Sequence, residues 1–248
     1  MKFPAILGLL ILVPALPTLA QGLKTGADHR FVPVGIAMNR TKGLIYSVNQ
    51  NNDSLLVRRI GSDVVVATVS VGTRPVAVAV NRQTGLIYVA NQSSCDLTVI
   101  DSNTNSINGT IPLGFSPLNL AVNYVTNRIY VVNETSKQVA VLDGQNAEIL
   151  AAVEVNAEPM AIAVNSRMNR IYVASASAGI VSVIDGELNE VVARIAVSPN
   201  PIALVVERKN NFVYVGYYKS NEVSKIDGRY NVVTGLTNFG NAIPGTLH

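Results

Sequence analysis

Short apolar runs alternate with short polar ones along almost the whole chain. The apolar runs are about six residues long, rich in β-branched side chains and tyrosine, and bounded by Asn, Asp, Gly and Pro, a pattern of strands and not of helices. The clearest stretch predicts one strand over Pro75–Val80 and a second over Leu86–Ala90. Between them, Asn81 bonds its own backbone and Gly85 accepts a positive φ to turn the chain. The polar run 91–95 leads to a third strand, Leu97–Ile100, and the turn at 101–105 leads to a fourth, from near Ile107 to Leu113. The first two strands are apolar at nearly every position instead of alternating, so both faces of the resulting antiparallel sheet are buried.

This stretch recurs. Tyr46, Tyr88, Tyr130, Tyr172 and Tyr214 stand 42 residues apart each time. Thirteen residues before each comes a proline, at Pro33, Pro75, Pro117, Pro159 and Pro201. Seven before come Asn39, Asn81, Asn123 and Asn165, with Glu207 breaking the series; thirteen after come Asp101, Asp143, Asp185 and Asp227, with Arg59 the exception. A period of this size marks units that cannot bury their own apolar faces and must stack on neighbours. Four strands per unit and two buried faces per sheet predict an all-β fold, a β-propeller of five 42-residue, four-stranded blades. The Gly-His and Trp-Asp signature of one propeller class is missing, and the chain has no tryptophan.

The strings Tyr88-Val-Ala-Asn91, Tyr130-Val-Val-Asn133, Tyr46-Ser-Val-Asn49 and 169–175 resemble the Tyr-Val-x-Asn core of the YVTN-family β-propeller repeat. Thr98-Val-Ile-Asp101 and Ser182-Val-Ile-Asp185 are similar to its second half. The resemblance runs from Pro33 to about Phe239 and implies an exported bacterial or archaeal propeller, periplasmic or at the cell surface, usually without a defined activity. Members commonly close with seven blades, whereas five units fill this chain, and Ala242–Gly245 looks like the opening of a sixth. Two arrangements follow: five blades that close, which is the favoured one, or a partial or open ring, which would call for a dimer to cover its exposed faces.

The N-terminus sets the compartment. A short positive start, an apolar core from Phe3 to Leu16 and the small residue Ala20 read as a secretory signal peptide over 1–20. A lead-in over 21–32, the propeller over 33–243 and a tail over 244–248 complete the organisation. The mature protein is expected to be secreted, periplasmic or on the cell surface, and no later stretch is long and apolar enough to span a membrane. Cys95 is the only cysteine, so no internal disulfide forms.

Formal net charge is +3 and the basic residues are scattered, which argues against nucleic acid as a partner. His29 and His248 lie near the two ends, so no histidine triad or histidine metal cluster assembles within the repeats. No cofactor is implied. Five Asn-x-Ser/Thr sequons, at Asn39, Asn52, Asn91, Asn108 and Asn133, are by-products of Asn-rich turns.

Connections between blades and those between second and third strands share one face of such a disc, and there the copies differ most. Residues a repeat must keep are structural; those that vary around a rim are free to specialise. Arg74, Phe115, Glu158, Asn133, Tyr217 and Tyr218 are therefore the candidate surface for a protein partner or polar ligand, and the expected function is a non-enzymatic binding or scaffold module. On the opposite face Asn39, Asn81, Asn123, Asn165 and Glu207 are read as turn caps, Glu207 being the one weak metal candidate. The rival is a hydrolase or lactonase with an axial metal, known on related propellers. It needs several acidic or histidine residues on the innermost strands, which here read Val-Ala-Val-Ala-Val, Leu-Asn-Leu-Ala-Val, Met-Ala-Ile-Ala-Val and Ile-Ala-Leu-Val-Val.

Overall fold

A computed structural model of the chain describes residues 35–62 and 64–238. The signal peptide, lead-in, Pro33, His29, Ala242–Gly245 and the tail with His248 lie outside the described residues. Twenty strands form five antiparallel four-stranded sheets, each a meander in chain order. The first holds β1 (Ile36–Asn39), β2 (Leu44–Asn49), β3 (Ser54–Arg59) and β4 (Val65–Ser70). The second holds β5 (Pro75–Asn81), β6 (Leu86–Asn91), β7 (Asp96–Asp101) and β8 (Ser106–Pro112). The third holds β9 (Asn119–Asn123), β10 (Arg128–Asn133), β11 (Gln138–Asp143) and β12 (Ile149–Glu154). The fourth holds β13 (Pro159–Asn165), β14 (Arg170–Ser175), β15 (Ile180–Asp185) and β16 (Glu190–Ala196). The fifth holds β17 (Pro201–Glu207), β18 (Phe212–Tyr217), β19 (Glu222–Asp227) and β20 (Val232–Asn238). Each predicted strand of the second unit is found within one residue of its expected bounds.

The five blades are held together face to face. Tyr46, Val48, Leu55, Val57 and Val69 on one face of the first sheet pack on Val78, Ile87, Val89 and Ile100 of the second. The same columns join the third sheet to the fourth, Tyr130 and Val141 meeting Ile171, Val173 and Ile184, and the fourth to the fifth, Tyr172 and Val183 meeting Val213, Val215 and Ile226. Successive inner strands adjoin from β1 through β5, β9 and β13 to β17. The tyrosine of each of the first four sheets is at most 1% exposed, because the following sheet covers it.

Among the described residues the first and fifth sheets do not share a seam of this kind: β17 and β1 do not pack on each other as the other consecutive inner strands do, and Ile36, Met38 and Val205 are 48, 37 and 40% exposed. Sequence at the end faces departs in step. On the free face of the first sheet, Ser47 and Arg58 stand where the inner sheets carry Val89 and Ile100, Val131 and Leu142, Val173 and Ile184. On the free face of the fifth, Gly216, Lys225 and Thr237 replace Val48, Val57 and Val69. All seven residues of β20 are exposed, unlike the outer strands before it. Terminal repeats with a polar outer face are how stacked arrays end in water.

The asparagine column is a second, polar tie. Asn165 Oδ1 accepts the backbone N–H groups of Arg167 (3.1 Å) and Met168 (3.3 Å), capping the hairpin, while Nδ2 donates to Asn211 Oδ1 of the next sheet at 2.7 Å. Asn81 reaches Asn127 at 2.7 Å and Asn123 reaches Asn169 at 2.8 Å in the same way. Among the described residues no sheet follows that of Glu207. Its carboxylate only accepts, taking the N–H groups of Lys209 (2.8 Å) and Asn210 (3.0 Å). Asn165→Ala is therefore expected to cost about 2 kcal/mol, since it uncaps a turn and removes a buried bond to the next sheet; Glu207→Ala costs under about 1 kcal/mol because water replaces the carboxylate at an exposed turn. Urea titration of both variants checks the contrast.

The aspartate column caps the hairpin between third and fourth strands, at the same end of each sheet. Asp101 Oδ1 accepts from Asn103 N at 2.6 Å and Thr104 N at 3.2 Å. These bonds hold its carboxyl below the usual range. Asp185 is lowered too: desolvation opposes the shift, and the N–H groups of Glu187 and Leu188 and the charge of Arg170, 2.8 Å away, outweigh it.

Candidate functional site

Connections between sheets adjoin loops between second and third strands at one end of the sheets. The connection between β4 and β5 lies against the loop between β6 and β7: Arg74 O accepts from Gln92 N at 2.9 Å, and Thr73 N donates to Ser94 Oγ at 3.1 Å. One sheet on, Ser116 Oγ donates to Gln92 O at 2.9 Å. Further round, Ala176 N donates to Glu158 O and Tyr218 N to Asn200 O, both at 2.9 Å. Arg74, Glu158 and Asn200 occupy equivalent positions, all left-handed with φ of 56, 53 and 59°. The repeating backbone bonds fix that strained conformation and leave the side chains to vary. Arg74 is also tied by its N–H to Asp53 Oδ1 at 2.7 Å.

The six candidates do not all share one environment. Arg74 and Glu158 are exposed, Tyr218 is 39% exposed beside Lys219, and Phe115 and Asn133 are half-buried. Asn133 Oδ1 accepts from Ser136 N at 3.2 Å within its own turn. Tyr217 is 6% exposed, and its hydroxyl donates to Ser224 Oγ at 2.6 Å inside the sheet. That ring belongs to the core facing the fourth sheet and is withdrawn from the accessible surface. Among the described residues neither Arg74 nor Glu158 is in an ion pair. Asn39 and Asn91, two of the sequon asparagines, are buried at 5 and 0% exposure.

A second cluster lies on the opposite face, which sequence reasoning assigned to turn capping, with Glu207 as a weak metal candidate. The residue after each cap forms a column of its own: Arg40, Arg82, Tyr124, Ser166 and Arg208. Arg82 stacks its guanidinium 3.7 Å from the centroid of the Tyr124 ring, and Arg208, from the fifth sheet, comes to 5.6 Å from the same ring. Arg208 also borders a cavity of about 250 Å³ among the inner strands, lined by Met38, Val78, Val80, Leu120 and Val164. Arg208 as a whole is exposed. Crowding by protein atoms nevertheless lowers its pKa, with the nearby charge of Arg82 acting in the same direction and Tyr124 opposing. Three arginines in one variable column are the signal that points here, once the column is known to ring an axis.

Metal chemistry finds few ligands. Both Glu207 oxygens accept from its own turn, and among the described residues no three His, Cys, Asp or Glu side chains gather. Cys95 lies in the loop between β6 and β7 at φ 57°, half-buried with a free thiol.

The chain matches no family model, and comparison with curated proteins finds no match. Solved structures do resemble it. Hydrazine synthase of Kuenenia stuttgartiensis aligns over 84% of this chain with a TM-score of 0.68 and 19% identity. The β-propeller domain of Cps50 (Swd1) from Myceliophteria thermophila aligns over 83% with a TM-score of 0.66 and 8% identity. The structure of U3-55K aligns over 86% with a TM-score of 0.72 and 10% identity. This chain spans 66% of the length of each of them. At these identities the likeness is one of fold: the five sheets are blades of a β-propeller.

Proposed function

We propose that this chain is an exported, non-enzymatic β-propeller of YVTN type that serves as a binding or scaffold module, taking a protein partner or polar ligand on the rim. The observation that carries the reading is the rim itself. Its backbone is fixed by bonds that repeat from sheet to sheet, while the exposed side chains at equivalent positions change from arginine to glutamate to asparagine. A scaffold that holds its loops rigid and varies only their tips is suited to recognition, because little ordering entropy is lost on binding. Export rests on the N-terminal pattern of charge, apolar core and small residue. Among the described residues no helix is long and apolar enough to cross a membrane.

The test begins with secretion of the full chain from an envelope-bearing bacterial host and mass measurement of the product, expected to start near Gln21. A partner recovered by crosslinking from the envelope is then titrated against the Arg74→Ala, Glu158→Ala, Tyr218→Ala triple variant. Affinity is expected to fall at least about tenfold, since exposed contacts of this kind contribute fractions of a kcal/mol to over 1 kcal/mol each. Unchanged affinity removes the rim from the reading.

A further inference from the structure

We infer that Arg82, Arg208 and Tyr124 form a binding site for a small oxyanion, a carboxylate or phosphate, at the axial mouth opposite the rim. Two guanidinium groups approach one phenol ring, at 3.7 and 5.6 Å from its centroid. Stacking on a ring face orients a guanidinium plane and leaves its edge N–H groups free, the geometry that takes an oxyanion by paired hydrogen bonds. Like charges brought together carry a cost that an anion between them removes. Among the described residues no carboxylate pairs with either arginine; the neighbouring Glu207 spends both oxygens on backbone N–H groups.

The surroundings favour a polar guest. Each of β1, β5, β9 and β13 is the innermost strand of its sheet, hydrogen-bonded on one side only. Edge strands of this kind present unpaired N–H and C=O groups, and these four border the cavity beside Arg208. The mouth thus offers fixed positive charge in front and backbone donors and acceptors behind. Arg40 occupies the corresponding position on the first sheet. Because this site lies on the face opposite the rim, it stands or falls separately from the rim reading.

Inorganic phosphate and succinate are the probes, titrated calorimetrically into the purified chain at low ionic strength, with the arginine Nε–H resonances followed in parallel. One saturable site per chain is expected, with the Arg82 and Arg208 signals moving together. Arg82→Gln and Arg208→Gln are each expected to weaken binding at least tenfold, while Arg194→Gln on an exposed outer strand leaves it unchanged. The stronger of the two probes identifies the class of natural ligand. All three positions are exposed, so the variants are expected to melt within a few degrees of the parent. Absence of saturable binding for both probes, or full retention of it in the Arg82→Gln, Arg208→Gln double variant, overturns the assignment.

Discussion

Tyr172→Ala is expected to lower the free energy of unfolding by about 3–5 kcal/mol, the range for deleting a fully buried aromatic ring. Tyr172 is wholly buried in the seam between the fourth and fifth sheets, and its hydroxyl donates to Asn211 Oδ1 at 3.1 Å. Tyr172→Phe keeps the ring and is expected to cost only about 1 kcal/mol for the lost bond. The informative comparison is Tyr214→Ala, in the same column of the last sheet. No described sheet covers Tyr214, which is half-buried, so its loss is expected to cost about 1 kcal/mol for the smaller area returned to water. Denaturant titration of the three variants measures the differences. Equal losses at Tyr172 and Tyr214 would mean that the last sheet is covered like the others and that the description of the seams is wrong.

Arg58→Ile combined with Lys225→Val is expected to turn the chain into a concentration-dependent oligomer. Interior seams bring the columns of Val57 and Ile100 into one cluster; at the two ends the same columns hold Lys225 and Arg58. Any stacking of the fifth sheet on a first sheet, within one chain or between two, sets these cations against each other. At about 6 Å and an effective dielectric of about 20 the repulsion is about 3 kcal/mol, or about a hundredfold in association. Replacing both with the residues of the inner units leaves two complementary apolar faces, and a head-to-tail contact of that type propagates unless the rotation closes. Sedimentation equilibrium of parent and variant reads the change directly, and rising salt is expected to favour association of the parent by screening the pair. A double variant that stays monomeric across the accessible concentration range would show that something other than charge keeps the end faces apart.

Most of the architecture was legible because repetition multiplies a weak signal. One apolar run such as Leu86–Ala90 is ambiguous between strand and buried helix, but five in register with the same flanking Asn, Gly and Asp are not. Strand bounds followed from the turn residues, whose side chains cap the hairpins in the structure as their chemistry requires. The end faces were not legible, since Arg58 and Lys225 read as ordinary polar positions until pairing shows which face of which sheet they occupy. The five four-stranded blades could be counted from the repeat alone, whereas what the outer two present to each other emerges only from the pairing. Tyr217 misled in a related way. It follows the tyrosine column by three residues, where earlier copies have polar Asn or Ser, and its hydroxyl finds Ser224 within the sheet instead of solvent. The Arg82, Tyr124 and Arg208 cluster stayed hidden because its members are 42, 84 and 126 residues apart and meet only through the radial arrangement of the hairpins.

The bonds from the Asn81, Asn123 and Asn165 amides to the neighbouring hairpin run one way, from the sheet earlier in the chain to the later one. The units consequently have a head and a tail and cannot be shuffled freely. A duplicated copy inserted ahead of the last unit would receive a donor from behind and offer one forward, whereas a copy appended after Glu207 would meet a carboxylate with no hydrogen to give. Lengthening of this array by gene duplication thus has a permitted place, upstream of the blade that carries Glu207.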